Sequence, residues 1–153
     1  MQTKKIFIGS DHGGFQLKKS IIEYLIKNFF DVTDCGTFDE NSIDYPIIAQ
    51  KVAESIVKNQ TNLVEKDQAD ILGILICGTG IGMSIAANKI KGIRACTVTD
   101  SYSAEMSRKH NNANILCLGQ RVIGTGLAIN IVDTFLNARF DGERHLNRIL
   151  MIE

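Results

Sequence analysis

Ile71-Leu72-Gly73-Ile74-Leu75-Ile76-Cys77-Gly78-Thr79-Gly80-Ile81-Gly82 decides the fold. Its first six positions hold five aliphatic residues and one glycine, with nothing polar to face water. A strand with one wet face alternates apolar and polar residues. An unbroken apolar run instead fits a strand covered on both faces, the situation in a parallel sheet. Glycines at alternate positions then let the chain turn tightly, and a helix is expected from Ile81 to Lys89.

The same alternation of strand and helix extends in both directions. Toward the start, Lys5-Ile6-Phe7-Ile8 reads as a strand. Phe15 to Asn28 reads as a helix with Leu17, Ile21 and Leu25 on one face. Val32 to Cys35 is a short strand, and Asp44-Tyr45-Pro46 marks a helix start, since Asp caps well and Pro suits the first turn. That helix is expected to reach Lys58, with Ile48, Val52 and Ile56 turned to the core. Asn59 to Asp70 is polar without a period and reads as a surface loop. Toward the end, strands are expected at Arg94 to Val98 and Ile115 to Leu118, with a helix over Ser101 to Lys109 between them. Leu127, Ile131 and Phe135 mark a further helix, and the tail from Gly142 a short one. Such alternation gives a three-layer α/β/α, Rossmann-type parallel sheet in a single domain spanning residues 1–153. Ligands of these folds bind beyond the carboxyl ends of the strands.

The 153 residues suit one domain and would be cramped for two, and 44% hydrophobic residues suffice for a packed core. Seventeen Lys and Arg balance seventeen Asp and Glu, so charge gives no case for nucleic acid or a membrane surface as partner. Ile6-Phe7-Ile8 is too short for a signal-peptide core, and no run approaches the roughly 20 apolar residues of a membrane helix, so a cytoplasmic location is expected. Cys35, Cys77, Cys96 and Cys117 show neither CxxC nor zinc-site spacing, so neither disulfides nor a metal are expected. Cys96 and Cys117 lie in apolar runs as core residues, and Cys35 ends a strand.

Four features carry chemistry. The turn Cys77 to Gly82 closes the most apolar strand and opens a helix, where backbone N–H groups gather around an anion. Its GxGxG spacing and distance from the first strand do not match a dinucleotide fingerprint, and no Walker A pattern is present. Helix N-termini favour thiolates, so Cys77 can serve as nucleophile or general base, with the N–H groups stabilising an enediolate. Asp11 and His12, in Gly9-Ser10-Asp11-His12-Gly13-Gly14, end the first strand and so share the sheet edge of Cys77. His110, followed by Asn111 and Asn112 between a helix end and a strand, suits proton transfer near neutral pH. Arg121, with Arg144 and Arg148 four apart on one helix face, suits phosphate. Taken singly, each feature also fits a plain role: an inert thiol, a helix cap, a histidine at a helix C-terminus, solvated charges.

Together these stretches resemble the type B ribose-5-phosphate isomerases and the related galactose-6-phosphate isomerase subunits. The resemblance runs through Ser10 to Gly14, Asp44-Tyr45-Pro46, Ile76 to Lys89, Ser107-Arg108-Lys109-His110-Asn111, Gly119-Gln120-Arg121 and Gly142-Glu143-Arg144-His145. It implies interconversion of ribose 5-phosphate and ribulose 5-phosphate, in the pentose phosphate pathway, without metal or cofactor. Cys77 would carry the proton from carbon 2 to carbon 1, with Thr79 beside it. Gly78, Thr79, Gly80, Ile81 and Gly82 would form the anion hole, and His110 would open the furanose. Asp11, His12, Tyr45 and Asn111 would contact sugar hydroxyls, and Arg121, Arg144 and Arg148 the phosphate. The resemblance further implies a homodimer or tetramer with its sites between subunits. The His110-Asn111 pair fits the ribose side of the family. A hexose 6-phosphate (allose or galactose) is the alternative substrate, and a non-catalytic sugar-phosphate or nucleotide-binding module the alternative role. The stretch Asn59 to Asp70 is a few residues longer than the family pattern.

Overall fold

The computed structural model describes residues 4–60 and 70–153. Five strands, β1 (Lys5–Ser10), β2 (Asp31–Asp34), β3 (Ile71–Cys77), β4 (Ala95–Thr97) and β5 (Ile115–Gly119), alternate with six helices. The helices are α1 (Phe15–Lys27), α2 (Tyr45–Asn59), α3 (Ile81–Ala87), α4 (Ser101–Asn111), α5 (Thr125–Asn137) and α6 (Glu143–Leu150). The strands form one sheet in the order β2-β1-β3-β5-β4, and every pairing is parallel. The expected α/β fold is therefore present. The expected loop from Asn59 to Asp70 lies mostly outside the described residues; Asn59 itself closes α2.

The apolar run of β3 takes the central place because both its faces find cover. Leu72, Ile74 and Ile76 join Leu17, Ile21 and Leu25 of α1, Ala104 of α4 and Ile131 and Phe135 of α5 in one core. Leu75 and Cys77 join Ile48, Val52 and Ile56 of α2 and Met83 and Ala87 of α3 in the other. Each fully buried aliphatic side chain contributes about 1.5–3 kcal/mol of transfer free energy, and β3 feeds both cores, as do β1 and β5 through Ile6 and Leu116 on one side and Phe7 and Ile115 on the other. By contrast β2, at the sheet edge, buries no residue fully.

Several boundaries differ from the sequence reading, each for a local reason. Leu127 is 42% exposed; the core face of α5 is built from Ala128, Ile131, Val132, Phe135 and Leu136 instead. Asp44 occupies the N-cap of α2, but its side chain makes no capping bond. Helix α3 stops at Ala87 because the Asn88 amide turns to the Ala95 peptide, donating to its carbonyl at 2.8 Å and accepting from its N–H at 2.8 Å. Helix α4 runs on to Asn111, so His110 and Asn111 are its last residues rather than part of a connection. Asn112, at φ 45°, caps it in the left-handed conformation.

From β1 the chain steps outward to β2 and then returns to β3 on the other side of β1. That reversal opens a crevice at the carboxyl ends of β1 and β3. Register places Ser10 opposite Ile76 there, so the two glycine-rich turns emerge side by side.

Candidate active site

The first cluster forms in this crevice. Cys77 ends β3, and its Sγ accepts the Gly80 N–H at 3.0 Å. The bond depends on Gly80 standing at φ +79°, where a Cβ is disfavoured and would come within 3.0 Å of the Leu118 backbone. Thr79 Oγ1 accepts the Ile81 N–H at 3.3 Å. With two N–H groups engaged within the turn, at most Gly78, Thr79 and Gly82 are left to face a substrate oxyanion. Helix α3 has only seven residues, about two turns, so these local donors matter more than its macrodipole. Tyr45, at the start of α2, lays its ring where a Cβ on Gly82 would sit, 2.8 Å from Cζ. Ile81 is 56% exposed at the mouth of the turn.

The β1 turn supplies the other wall. The Asp11 carboxylate accepts the Gly13 N–H at 2.9 Å and caps the 3-10 turn His12–Gly14. His12 is exposed, and its Nδ1 accepts the Ile43 N–H at 3.2 Å, which turns Nε2–H outward as a donor. The Arg121 guanidinium lies over Gly78 and Gly13, and its backbone N–H donates to the Gly78 carbonyl at 3.1 Å. Asp11, His12, Tyr45, Cys77 to Gly82 and Arg121 thus belong to one cluster.

His110, Asn111, Arg144 and Arg148 do not join it. Helix α4 runs back from the carboxyl edge to the start of β5, so its last residues stand at the opposite edge of the sheet. Gly73 pairs with Ile115 and Cys77 with Gly119, a separation along β3 of about 13 Å at about 3.3 Å per residue. Helix α6 packs beside the end of α4, tied by the Asp141 N–H donating to the Lys109 carbonyl at 3.0 Å. His110, Asn111, Arg148, Ile149 and Ile152 line a cleft of about 360 Å³ there, together with His145. Arg144 is exposed one residue before His145. The three arginines read from the sequence as one phosphate set are therefore split within a single chain, with Arg121 at one edge and the α6 pair at the other.

His145 is the residue the sequence reading missed. Its ring stacks on His110 with centroids 4.3 Å apart and planes 9° apart. Its burial, followed by the positive charges of His110, Arg144 and Arg148, pushes its pKa below the usual histidine range. The available signal was its spacing of three from Arg148, which puts both on one helix face. Asp141 completes a group with His110 and His145 whose ligand atoms lie within 4.8 Å of one another. Chain spacing conceals this cluster. Two parallel rings this far apart cannot aim in-plane lone pairs at one ion about 2.1 Å from each, so the rings as placed do not form a metal site. Elsewhere burial pushes the thiols of Cys35, Cys96 and Cys117 up, Cys117 well above its ordinary value. Cys35 and Cys117 are buried as expected, and Cys96 is half-buried.

Comparison with known proteins supports the pattern. The family model described as Ribose/Galactose Isomerase matches residues 6–152. Ribose-5-phosphate isomerase B of Escherichia coli (strain K12) is 44% identical over 146 residues, covering 95% of this chain and 92% of its own. A structure of Clostridium thermocellum ribose-5-phosphate isomerase B superposes with a TM-score of 0.89 at 51% identity, covering 97% of this chain and 94% of that one. That of Mycoplasma genitalium ribose-5-phosphate isomerase B with bound ribulose-5-phosphate gives 0.89 at 44% identity, covering 99% and 95%.

Proposed function

The chain belongs to the ribose/galactose isomerase family, and from that membership we propose that it interconverts ribose 5-phosphate and ribulose 5-phosphate through an enediolate, with no metal or cofactor. The observation that carries the mechanism is Cys77 at the end of β3, with a backbone N–H held on its sulfur at 3.0 Å. His110 protonates the furanose ring oxygen and frees the aldehyde. Cys77 thiolate takes the proton from carbon 2, the C–H pair forms the C1=C2 bond and the carbonyl pair moves onto O1. The O2 hydroxyl proton passes to O1, and the thiol returns its proton to carbon 1 as the carbonyl re-forms at carbon 2. N–H groups of Gly78, Thr79 and Gly82 face the oxyanion. Thr79 acts by fixing the turn through Ile81. Asp11, His12, Tyr45 and Asn111 hold hydroxyls, and Arg121, Arg144 and Arg148 hold the phosphate.

This assignment requires two copies of the chain, because the base and the ring-opening acid stand at opposite sheet edges. In a two-fold homodimer Cys77 of one copy meets His110, Asn111 and the α6 arginines of the other, and Arg121 then joins them on one phosphate. Exposed apolar residues beside the turn, Ile47 at 58%, Ile81 at 56% and Ile85 at 57%, offer a surface for the second copy. Residues 1–153 act as one isomerase domain in the cytoplasm. Among the described residues, no helix is long and apolar enough to cross a membrane.

The test is ketose formation from ribose 5-phosphate by purified protein without added metal, beside allose 6-phosphate and galactose 6-phosphate. Preferred turnover of the five-carbon sugar is expected. Turnover of a hexose phosphate alone would keep the mechanism and replace the substrate.

A further inference from the structure

We infer that Arg94 is a positioning residue for the His110–Asn111 pair. Arg94 immediately precedes β4 and is only 8% exposed. Its Nε donates to the carbonyls of Asn111 at 3.1 Å and Asn112 at 3.2 Å. Those carbonyls are among the last four of α4, which have no partner inside the helix. A cation is the preferred group at that end, and the one Nε–H is shared between the two carbonyls while Nη1 stays with Glu153. The fork is itself fixed on two sides. The Arg94 N–H donates to Asn114 Oδ1 at 2.8 Å, and Nη1 is ion-paired with Glu153.

Arg108 grips the same helix end from within the core, donating to Asn112 Oδ1 at 2.9 Å and to the Ala113 carbonyl at 2.6 Å. It is fully buried and stands over Phe135, so its loss would unfold the region. Arg94, at the rim, is the one of the two that can be changed while the core stays packed. It lies outside the residues assigned to sugar and phosphate. It fixes the backbone that aims His110 and Asn111 across to the neighbouring copy. Misplacing a reacting group by about 1 Å can cost about a hundredfold in rate, so small freedom here is expensive.

This inference rests on His110 being the ring-opening acid, and the experiment separates the two. Ribose 5-phosphate turnover is measured for Arg94→Met, Arg94→Lys, His110→Gln and the Arg94→Met/His110→Gln double variant, with circular dichroism and gel filtration to confirm folding and assembly. Arg94→Met is expected to lower kcat roughly 10- to 100-fold, with Arg94→Lys intermediate. The double variant should show no lower kcat than His110→Gln alone, because the effect of Arg94 on kcat runs through His110, while its effect through Asn111, a hydroxyl contact, should appear in KM. Multiplying losses in the double variant, with His110→Gln strongly impaired, would overturn the positioning role and leave the acid assignment standing. A fully active His110→Gln would instead overturn the acid assignment. If Arg94→Met fails to assemble, Glu153→Gln loosens the same fork from outside the core. It should give a smaller loss of the same kind, and native kcat would overturn the inference.

Discussion

At the scale of single residues, Cys77 and Arg148 divide the chemistry. A well-placed general base is worth about 10²- to 10⁴-fold, so Cys77→Ala should lower kcat by that order while leaving substrate binding intact. Loss of deuterium incorporation from heavy water into the sugar checks it. On the proposed assignment Arg148 meets only the remote phosphate, so Arg148→Ala should raise KM and leave kcat little changed; steady-state kinetics distinguish the two. His145 makes a prediction about pH. Its folded-state pKa lies below the usual value of 6.5, so on acidification the unfolded chain binds the proton first. Stability should therefore fall as pH drops through 6.5 and hold steady above it. That acid-side loss should shrink in His145→Gln, as followed by thermal melts between pH 7.5 and pH 5. The importance of Cys77 was legible because an apolar strand ending in a glycine turn announces a ligand edge. The stacking of His145 on His110 was not, since it depends on how α6 folds back over α4.

At the scale of elements, the turn after β3 is a strained connection that only glycine tolerates at its third position. Gly80→Ala places a Cβ in the left-handed region, at a cost of about 1–2 kcal/mol, and within 3.0 Å of the Leu118 backbone. Chemical denaturation should show a stability loss of at least that size, and activity should fall as the N–H leaves the sulfur. Sequence patterns located nearly every element because the cores are aliphatic and periodic. They failed at the end of α4, where the buried face is Ala104, Ser107 and Arg108. Polar residues that are buried by hydrogen bonding rather than by hydrophobicity leave no apolar period to read. The end of α3 was misread for a related reason: an asparagine side chain, rather than a glycine or proline, halts it.

At the scale of the whole molecule, the proposed assignment makes the two clusters at opposite edges of the sheet incomplete halves of one site. Cys77→Ala and His110→Gln chains should each be inactive alone. Mixed equally after dissociation and reassociation, they should recover roughly a quarter of native activity, because half the dimers are hybrids with one intact site of two. No recovery would mean that both halves act within one chain. The resemblance implied a site between subunits without saying which residues come from which, and the return path of α4 is what sorts them within one chain. That separation bears on descent. On the proposed assignment the turn that moves the proton and the α6 helix that grips the phosphate share no residues, so mutation can reshape α6 while leaving the turn after β3 untouched. A lineage with this fold can change the length of the sugar it accepts and inherit its reaction unaltered.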